Sequence, residues 1–421
     1  MSGLNLLIFP GELKANFFQK ILSIKKTVMI NCVLIENKEQ IQEWGKIVKK
    51  KNIFLWADLA SKSFQSTEYH DLYYSYVIDK ILSDPRSTYI LERMYRSLDL
   101  RIIDSSVFNK TLNLEKLIWN IITIIFLTKP NRIIHYNIPH GKYWFVARVA
   151  ELIGIKFYGG ADTVILPWKQ WLVRGLDEQV VIKPKKNNKI DYKTIQNHFN
   201  KIKGAYDKAI PNYEKERQVK FSNKFFSFKK ELGSIILKGI RSRSVIEVFF
   251  WICLSIYKYK ALKLYQNFSK NFKLPRKYII FFMHYQPERT SLPEGMNYCN
   301  QWLIIRSLSE KIPKDCKLIV KEHPSTFRYY FNPSFRSKEF YNSVNKLKNT
   351  EFAPLNFSPF KLLDNSYAVA TITGTVGAEA FIRRKNVLVF GLAQYRNLPN
   401  VHLIRSFDEV EPVLKKLNED I

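Results

Sequence analysis

The amino-acid sequence predicts an α/β protein of two lobes, each a parallel sheet flanked by helices, with a basic helical insertion between them. Three observations predict it. A strand, a helix and a second strand follow one another over residues 132–158; the same alternation starts afresh at Tyr278; and the intervening stretch carries most of the net charge. At 421 residues, 46% hydrophobic and 14% aromatic, the chain is too long for one ordinary domain and too apolar to be disordered. The expected division is an N-terminal lobe over 1–180, a linker or insertion over 181–276 and a C-terminal lobe over 277–421.

In the first lobe, Thr27–Ile35 reads as a strand, Lys38–Lys49 as a helix and Asn52–Trp56 as a strand. The clearest unit is Arg132–Tyr136 as a strand, the turn Asn137–Gly141, and a helix over Lys142–Leu152. Gly154 is placed as its C-cap, before the strand Ile155–Tyr158. Pro184–Asn188 is a polar break leading into Lys-rich helical segments that last to about Lys273. The second lobe opens with the buried-type strand Tyr278–Met283. It continues with a helix (Asn300–Lys311), a strand (Lys317–Val320), a helix ending over Phe360–Asn365, a strand (Tyr367–Thr371), a helix (Val376–Arg383) and a strand (Asn386–Phe390). Parallel strands with crossover helices satisfy this order.

Composition excludes several classes. Fifteen Gly and 17 Pro are too few for a low-complexity or collagen-like chain. Cys32, Cys253, Cys299 and Cys316 show no CxxC or paired Cys/His spacing, so reduced thiols are expected and a zinc site is not. The apolar runs Leu117–Leu127 and Val245–Tyr257 fall short of the roughly 20 residues a membrane span needs. With no secretory leader visible, a cytoplasmic protein is expected.

Sixty-seven Lys and Arg oppose 37 Asp and Glu, for a net charge of +30. Residues 181–277 hold 24 basic and 6 acidic side chains, and so contribute +18 of that total. Such a surface attracts polyanions: nucleic acid, an anionic membrane leaflet, or an acidic sugar or nucleotide. Aromatic residues among the lysines suit the membrane interface, where rings lie at headgroup depth. No ribonucleoprotein-type motif, zinc knuckle or helix-turn-helix signature is present, which disfavours nucleic acid. A membrane surface and a merely solvated basic helical region remain as the two main readings, with the anionic inner-membrane surface taken as the expected partner once the resemblance below is added.

Ligands of open α/β sheets bind beyond the carboxyl ends of the strands. Three such loops in the second lobe carry chemistry. The first, His284–Gly295, offers Gln286 for a base edge or hydroxyl and Glu288 as a general base or sugar ligand. The second, Lys321–Thr326, sets His323 before Pro324, which biases it toward an extended backbone; with Lys321 beside it and Ser325 and Thr326 just beyond, it suits a phosphate, and Glu322 is counted with the donor-binding residues. The third, Thr373–Ala380, combines the hydroxyls of Thr373 and Thr375 with Gly374 and Gly377 at a helix start, an anion site, with Glu379 one turn on to reach a ribose or sugar hydroxyl. It is neither a Walker loop nor a full GxGxxG fingerprint. In the first lobe, His135 and His140 bracket a strand-end loop on the expected acceptor side, and Asp162 follows the next strand as a candidate acid/base or nucleophile. No Asp-x-Asp occurs, so no metal and no cofactor are expected, consistent with a donor carrying a single phosphate.

The residues HYQPE, TSLPEG, VKEHP and TGTVGAEA, in this order and at these intervals, resemble the capsule polysaccharide biosynthesis family of bacterial glycosyltransferases, which includes enzymes that add Kdo and related acidic sugars. The likeness spans about Tyr278–Leu403. It implies a GT-B fold, two Rossmann-like lobes with an interlobe cleft, the nucleotide sugar on the C-terminal lobe and a glycan or glycolipid acceptor facing the N-terminal lobe. It further implies that His323 and Lys321 grip the phosphate of a CMP-linked sugar, that Gly374, Thr375 and Gly377 supply donors to it, and that Gln286 and Glu288 line the sugar or base pocket. The long Lys-rich insertion departs from the family pattern. The expected function is transfer of Kdo or a sialic-acid-like nonulosonate from CMP to a capsule or lipopolysaccharide glycan. The alternatives are a transferase or epimerase using a nucleotide diphosphate sugar on the same fold, and a non-catalytic polyanion- or membrane-binding assembly factor.

Overall fold

The computed structural model describes residues 4–9, 15–24, 27–35, 37–59, 67–85, 87, 107–135, 141–161, 171–174, 192–204, 245–286, 290–292, 294–327 and 336–419. The chain forms two compact units, one of residues 1–163 and 168–190, the other of 164–167 and 191–421. Each is built on a six-stranded sheet.

In the first unit the strands are β1 (Leu4–Phe9), β2 (Val28–Ile35), β3 (Ile53–Leu55), β4 (Arg132–His135), β5 (Lys156–Ala161) and β6 (Trp171–Arg174). They lie in the order β3-β2-β1-β4-β5-β6, parallel except for β6 against β5. This is a doubly wound sheet whose strand order reverses between β1 and β4. Leu7 and Phe9 face one core and Leu6 and Ile8 the other, because successive side chains of a strand point to opposite faces. A sheet covered on both sides needs such continuous apolar runs.

The second unit contains β7 (Tyr278–Phe282), β8 (Lys317–Lys321), β9 (Thr350–Phe352), β10 (Ala368–Thr371), β11 (Asn386–Val389) and β12 (Val401–Leu403). All are parallel, in the order β12-β11-β10-β7-β8-β9, and the reversal falls between β7 and β10. Ile279, Phe281, Leu318, Val320 and Ala370 face one core; Tyr278, Ile280, Ile319 and Val369 face the other. Both units are therefore Rossmann-like.

The strand, helix and strand of residues 132–158 form as expected. Helix Gly141–Leu152 ends at Gly154, whose φ of 77° is the left-handed value that favours glycine. The N–H of Ile155 bonds Ala150 and that of Gly154 bonds Glu151, closing the helix in a Schellman turn. The expected helix Lys38–Lys49 is shorter, running only Gln40–Trp44; Gly45, a poor helix former, follows. The apolar run Val245–Tyr257 begins a helix that continues to Phe268 and packs Ala261 and Tyr265 into the core of the second unit.

The first unit contains a buried cation. Arg148 lies on helix Gly141–Leu152, donating from Nε (2.7 Å) and Nη2 (2.6 Å) to Asp84 and from Nη1 (2.8 Å) to Glu151. Substituting Arg148→Leu removes this cation from the Asp84 carboxylate, which keeps the N–H and hydroxyl of Ser87; the expected loss is about 3 kcal/mol of unfolding free energy, read by urea denaturation.

Candidate active site

The carboxyl ends of β8, β7 and β10 are neighbours in the second sheet, and the three loops singled out from the sequence leave from them. What joins them is His284, two residues beyond β7. Its buried imidazole takes the N–H groups of Ile372 (3.2 Å) and Thr373 (3.4 Å) on Nε2, with Thr371 Oγ1 at 3.0 Å. Two amide donors make Nε2 an acceptor, so the ring proton resides on Nδ1, 3.3 Å from Thr290 Oγ1. Burial first, then the charges of His323 and Arg336, push this imidazole down to about 3. It is neutral at any physiological pH.

The backbone of His284 is equally committed. Its N–H donates to Gln301 Oε1 (2.8 Å), while its carbonyl accepts from Gln301 Nε2 (3.1 Å) and Arg336 Nη2 (2.7 Å). Arg336 Nη1 reaches Glu322 at 2.9 Å, so one guanidinium spans the ends of β7 and β8. Glu322 is 1% exposed, and its carboxylate also accepts from the His323 N–H (2.7 Å), Thr326 Oγ1 (3.1 Å) and Tyr341 Oη (2.9 Å). Tyr265 completes the bracket, accepting from the Glu322 N–H at 3.1 Å and donating to the Ala353 carbonyl at 2.5 Å.

This network corrects two expected roles. Glu322 does not face a ligand: its carboxylate is turned inward and spent on holding the His-Pro turn. Lys321 is 3% exposed, and its Nζ donates inward to the carbonyls of Pro354 (2.7 Å) and Leu355 (3.1 Å) instead of facing outward as a phosphate grip would. Burial brings its ammonium down to about 7. His323 is partly exposed, with its ring centroid 6.0 Å from that of Tyr285, the residue after His284. Ser325 lies in the 3₁₀ turn Pro324–Phe327. Gln286 donates from Nε2 to the Cys299 carbonyl at 2.8 Å.

Beyond β10, the Thr373 hydroxyl donates to the Thr290 carbonyl at 2.6 Å, tying the first loop to the third. Gly374 caps helix Thr375–Ile382, and its N–H bonds Thr371 Oγ1 at 3.2 Å. The Gly377 N–H turns back to the Gly374 carbonyl at 3.0 Å. The N–H groups of Thr375 and Val376, in the first turn, have no intrahelical acceptor, and the Thr375 side chain is exposed beside them. Tyr395 lies beneath, its hydroxyl donating to the Gly374 carbonyl. A Cβ on Gly377 would collide with the Tyr395 hydroxyl and ring, so glycine is required there by contact. Glu379, one turn on, is partly exposed, and desolvation raises its carboxyl to about 7 against the opposing charge of Arg383.

In the first unit, His135 ends β4, in register with Phe9 of β1, at the point where that sheet reverses; the two rings are 5.6 Å apart. Glu288, His140 and Asp162 lie outside the described residues. Among the described residues no three His, Cys, Asp or Glu side chains gather as metal ligands would.

Sequence reasoning missed Arg336 and Tyr395, and treated His284 only as part of its loop. Nothing local marks Arg336, 14 positions from Glu322. A histidine immediately after a buried strand was the available signal for His284.

Residues 297–398, which carry His323 and the Gly374 turn, match the family described as capsule polysaccharide biosynthesis protein. The match covers about a quarter of the chain, all of it within the second unit. No curated protein matches the chain. Among solved structures, it is similar to the Thermosulfurimonas dismutans KpsC beta Kdo 2,4 transferase at 19% identity and TM-score 0.24, covering 35% of this chain and 48% of that one. The KpsC beta Kdo 2,7 transferase of the same organism matches at 12% identity and TM-score 0.30, covering 69% and 78%. The UDP-GlcNAc 2-epimerase from Neisseria meningitidis bound to UDP-GlcNAc matches at 13% identity and TM-score 0.27, over 100% and 92%. The chain thus spans about half the length of the first, and likeness at these scores assigns no activity.

The shifted Glu379 carboxyl sets a pH dependence. Its pKa rises from the ordinary 4.5 to about 7 on folding, so the folded state keeps a proton the unfolded chain has released. The penalty is absent below about pH 4.5 and complete above about pH 7. Stability is expected to fall across this window, and Glu379→Gln, measured by urea denaturation at pH 4.5 and 7.5, is expected to flatten the fall.

Proposed function

We propose that this protein is a glycosyltransferase of bacterial surface-polysaccharide assembly, moving Kdo or a related nonulosonate from its CMP donor to a capsule or lipopolysaccharide glycan at the anionic inner-membrane surface. What supports the reading is that β8, β7 and β10 are neighbours in the second sheet, and that the His-Pro turn after β8 and the helix start after β10 are both linked by hydrogen bonds to His284, which follows β7, with the turn and the helix start inside the segment that matches the capsule family.

The chemistry needed is limited. The bond from the anomeric carbon to the phosphate oxygen breaks, and the electron pair leaves with CMP. The acceptor hydroxyl attacks that carbon and gives its proton to a base. Charge therefore grows on one phosphate, where fixed donors that need no rearrangement are most effective. His323, the N–H groups of Thr375 and Val376 and the Thr375 hydroxyl are assigned that phosphate. Ser325 and Thr373 border it, and Glu379 and Gln286 are assigned the hydroxyls of ribose or sugar. Glu288 and Asp162 are the candidate bases, with His135 and His140 on the acceptor side. Because a single phosphate carries less charge than a diphosphate, the reaction is assigned no metal.

Donor hydrolysis and transfer, measured with CMP-Kdo, a CMP-nonulosonate and UDP-sugars with and without EDTA, test the proposal. CMP donors are expected to turn over in EDTA, and His323→Ala to lower kcat about 100-fold with the melting temperature unchanged. Turnover of UDP-sugars alone would contradict the reading, as would full activity in the variant.

A further inference from the structure

The helix Val245–Phe268 presents two unlike faces. One is buried: Ser255, Ala261 and Tyr265 turn inward, and Tyr265 is bonded to the Glu322 N–H and the Ala353 carbonyl. The other is open. Phe249, Cys253, Ile256, Lys260 and Lys263, spaced alternately four and three residues apart, are all exposed, Phe249 at 69% and Ile256 at 39%. That spacing keeps them on a single stripe, about 21 Å long at 1.5 Å per residue.

The stripe is graded along its length. Its N-terminal half is a phenylalanine, a thiol and an isoleucine; its C-terminal half is two lysines, and no acid lies on it. A soluble helix that buries one face ordinarily turns polar side chains outward, so a phenylalanine this exposed is uncompensated in water. The opposite face is pinned to the loop before His323, and among the described residues the open face stays exposed.

We propose that this stripe is a docking surface for an anionic phospholipid bilayer. Phe249, Cys253 and Ile256 enter the headgroup region, while Lys260 and Lys263 lay their methylene stems along it and leave their ammonium groups on lipid phosphates. Charge complementarity selects this occupant: residues 181–277 carry 24 basic and 6 acidic side chains, an excess that an acidic leaflet offsets and a second copy of the same chain would repel. The helix lies on the surface without crossing it, since no described helix is long and apolar enough to span a membrane. The inference deepens the membrane partner of the proposed function, and vesicle binding is read without donor or acceptor, so the two can fail separately.

The test is flotation of the full chain with phosphatidylcholine vesicles containing or lacking phosphatidylglycerol. Wild-type protein is expected to float with the anionic vesicles and not with the neutral ones. Phe249→Ser with Ile256→Ser, and separately Lys260→Glu with Lys263→Glu, are expected to lower the bound fraction at least tenfold with unchanged melting temperature. Exposed positions should tolerate both pairs. Undiminished flotation of both variants overturns the proposal, as does failure of the wild type to bind anionic vesicles. A wild-type dimer that the Phe249/Ile256 pair makes monomeric, without vesicle binding by either, would assign the stripe to self-association and also overturn it.

Discussion

One neutral imidazole holds the candidate site in shape. His284 accepts the N–H groups of Ile372 and Thr373 on the nitrogen that a second proton would occupy. Protonating it would cost those bonds and bury a charge beside Arg336. The Thr371 hydroxyl accepts from the Gly374 N–H and faces the same nitrogen. A chain of hydrogen bonds thus runs from the end of β7 to the cap of helix Thr375–Ile382. With the carbonyl of His284 held by Arg336, and Arg336 by Glu322, the ends of three strands behave as one body.

The polar residues of the β8 end divide their work by strand geometry. Lys321 and Glu322 are adjacent, so their side chains leave on opposite faces of the sheet. One secures the segment after β9 through two carbonyls, and the other secures the turn that bears His323. Neither is available to a ligand, yet both decide where the ligand-facing groups stand. The buried Glu322 is tolerable because the His323 N–H, Thr326, Tyr341 and Arg336 together satisfy its carboxylate, as a buried carboxylate requires.

Much of the framework was legible because the strands of both sheets are covered on two sides and stand out as apolar runs. Tyr278–Phe282, Lys317–Lys321 and Asn386–Val389 emerge within a residue or so of their expected limits. β1 has no counterpart among the expected strands, although it lies between β2 and β4 inside the first sheet. Strands of three residues, such as Thr350–Phe352 and Val401–Leu403, are too brief to show a period. The three loops of the site were legible as polar clusters at strand ends. Their division of labour was not: whether Glu322 faces solvent or core depends on Arg336 and Tyr341, whose approach is set by tertiary packing. Likewise, Gly377 was expected at an anion site, and only packing shows that the group pressed against it is Tyr395.

The central claim is that His284 is locked neutral, with its proton on Nδ1, as the tie between β7 and β10. The nitrogen shifts of its side chain, followed by NMR from pH 8 down to pH 4, test this directly. The account predicts an Nδ1-protonated ring that does not titrate in this range, in keeping with a pKa pushed down to about 3. A proton found on Nε2, or a titration midpoint near the ordinary histidine value of about 6.5, would contradict it.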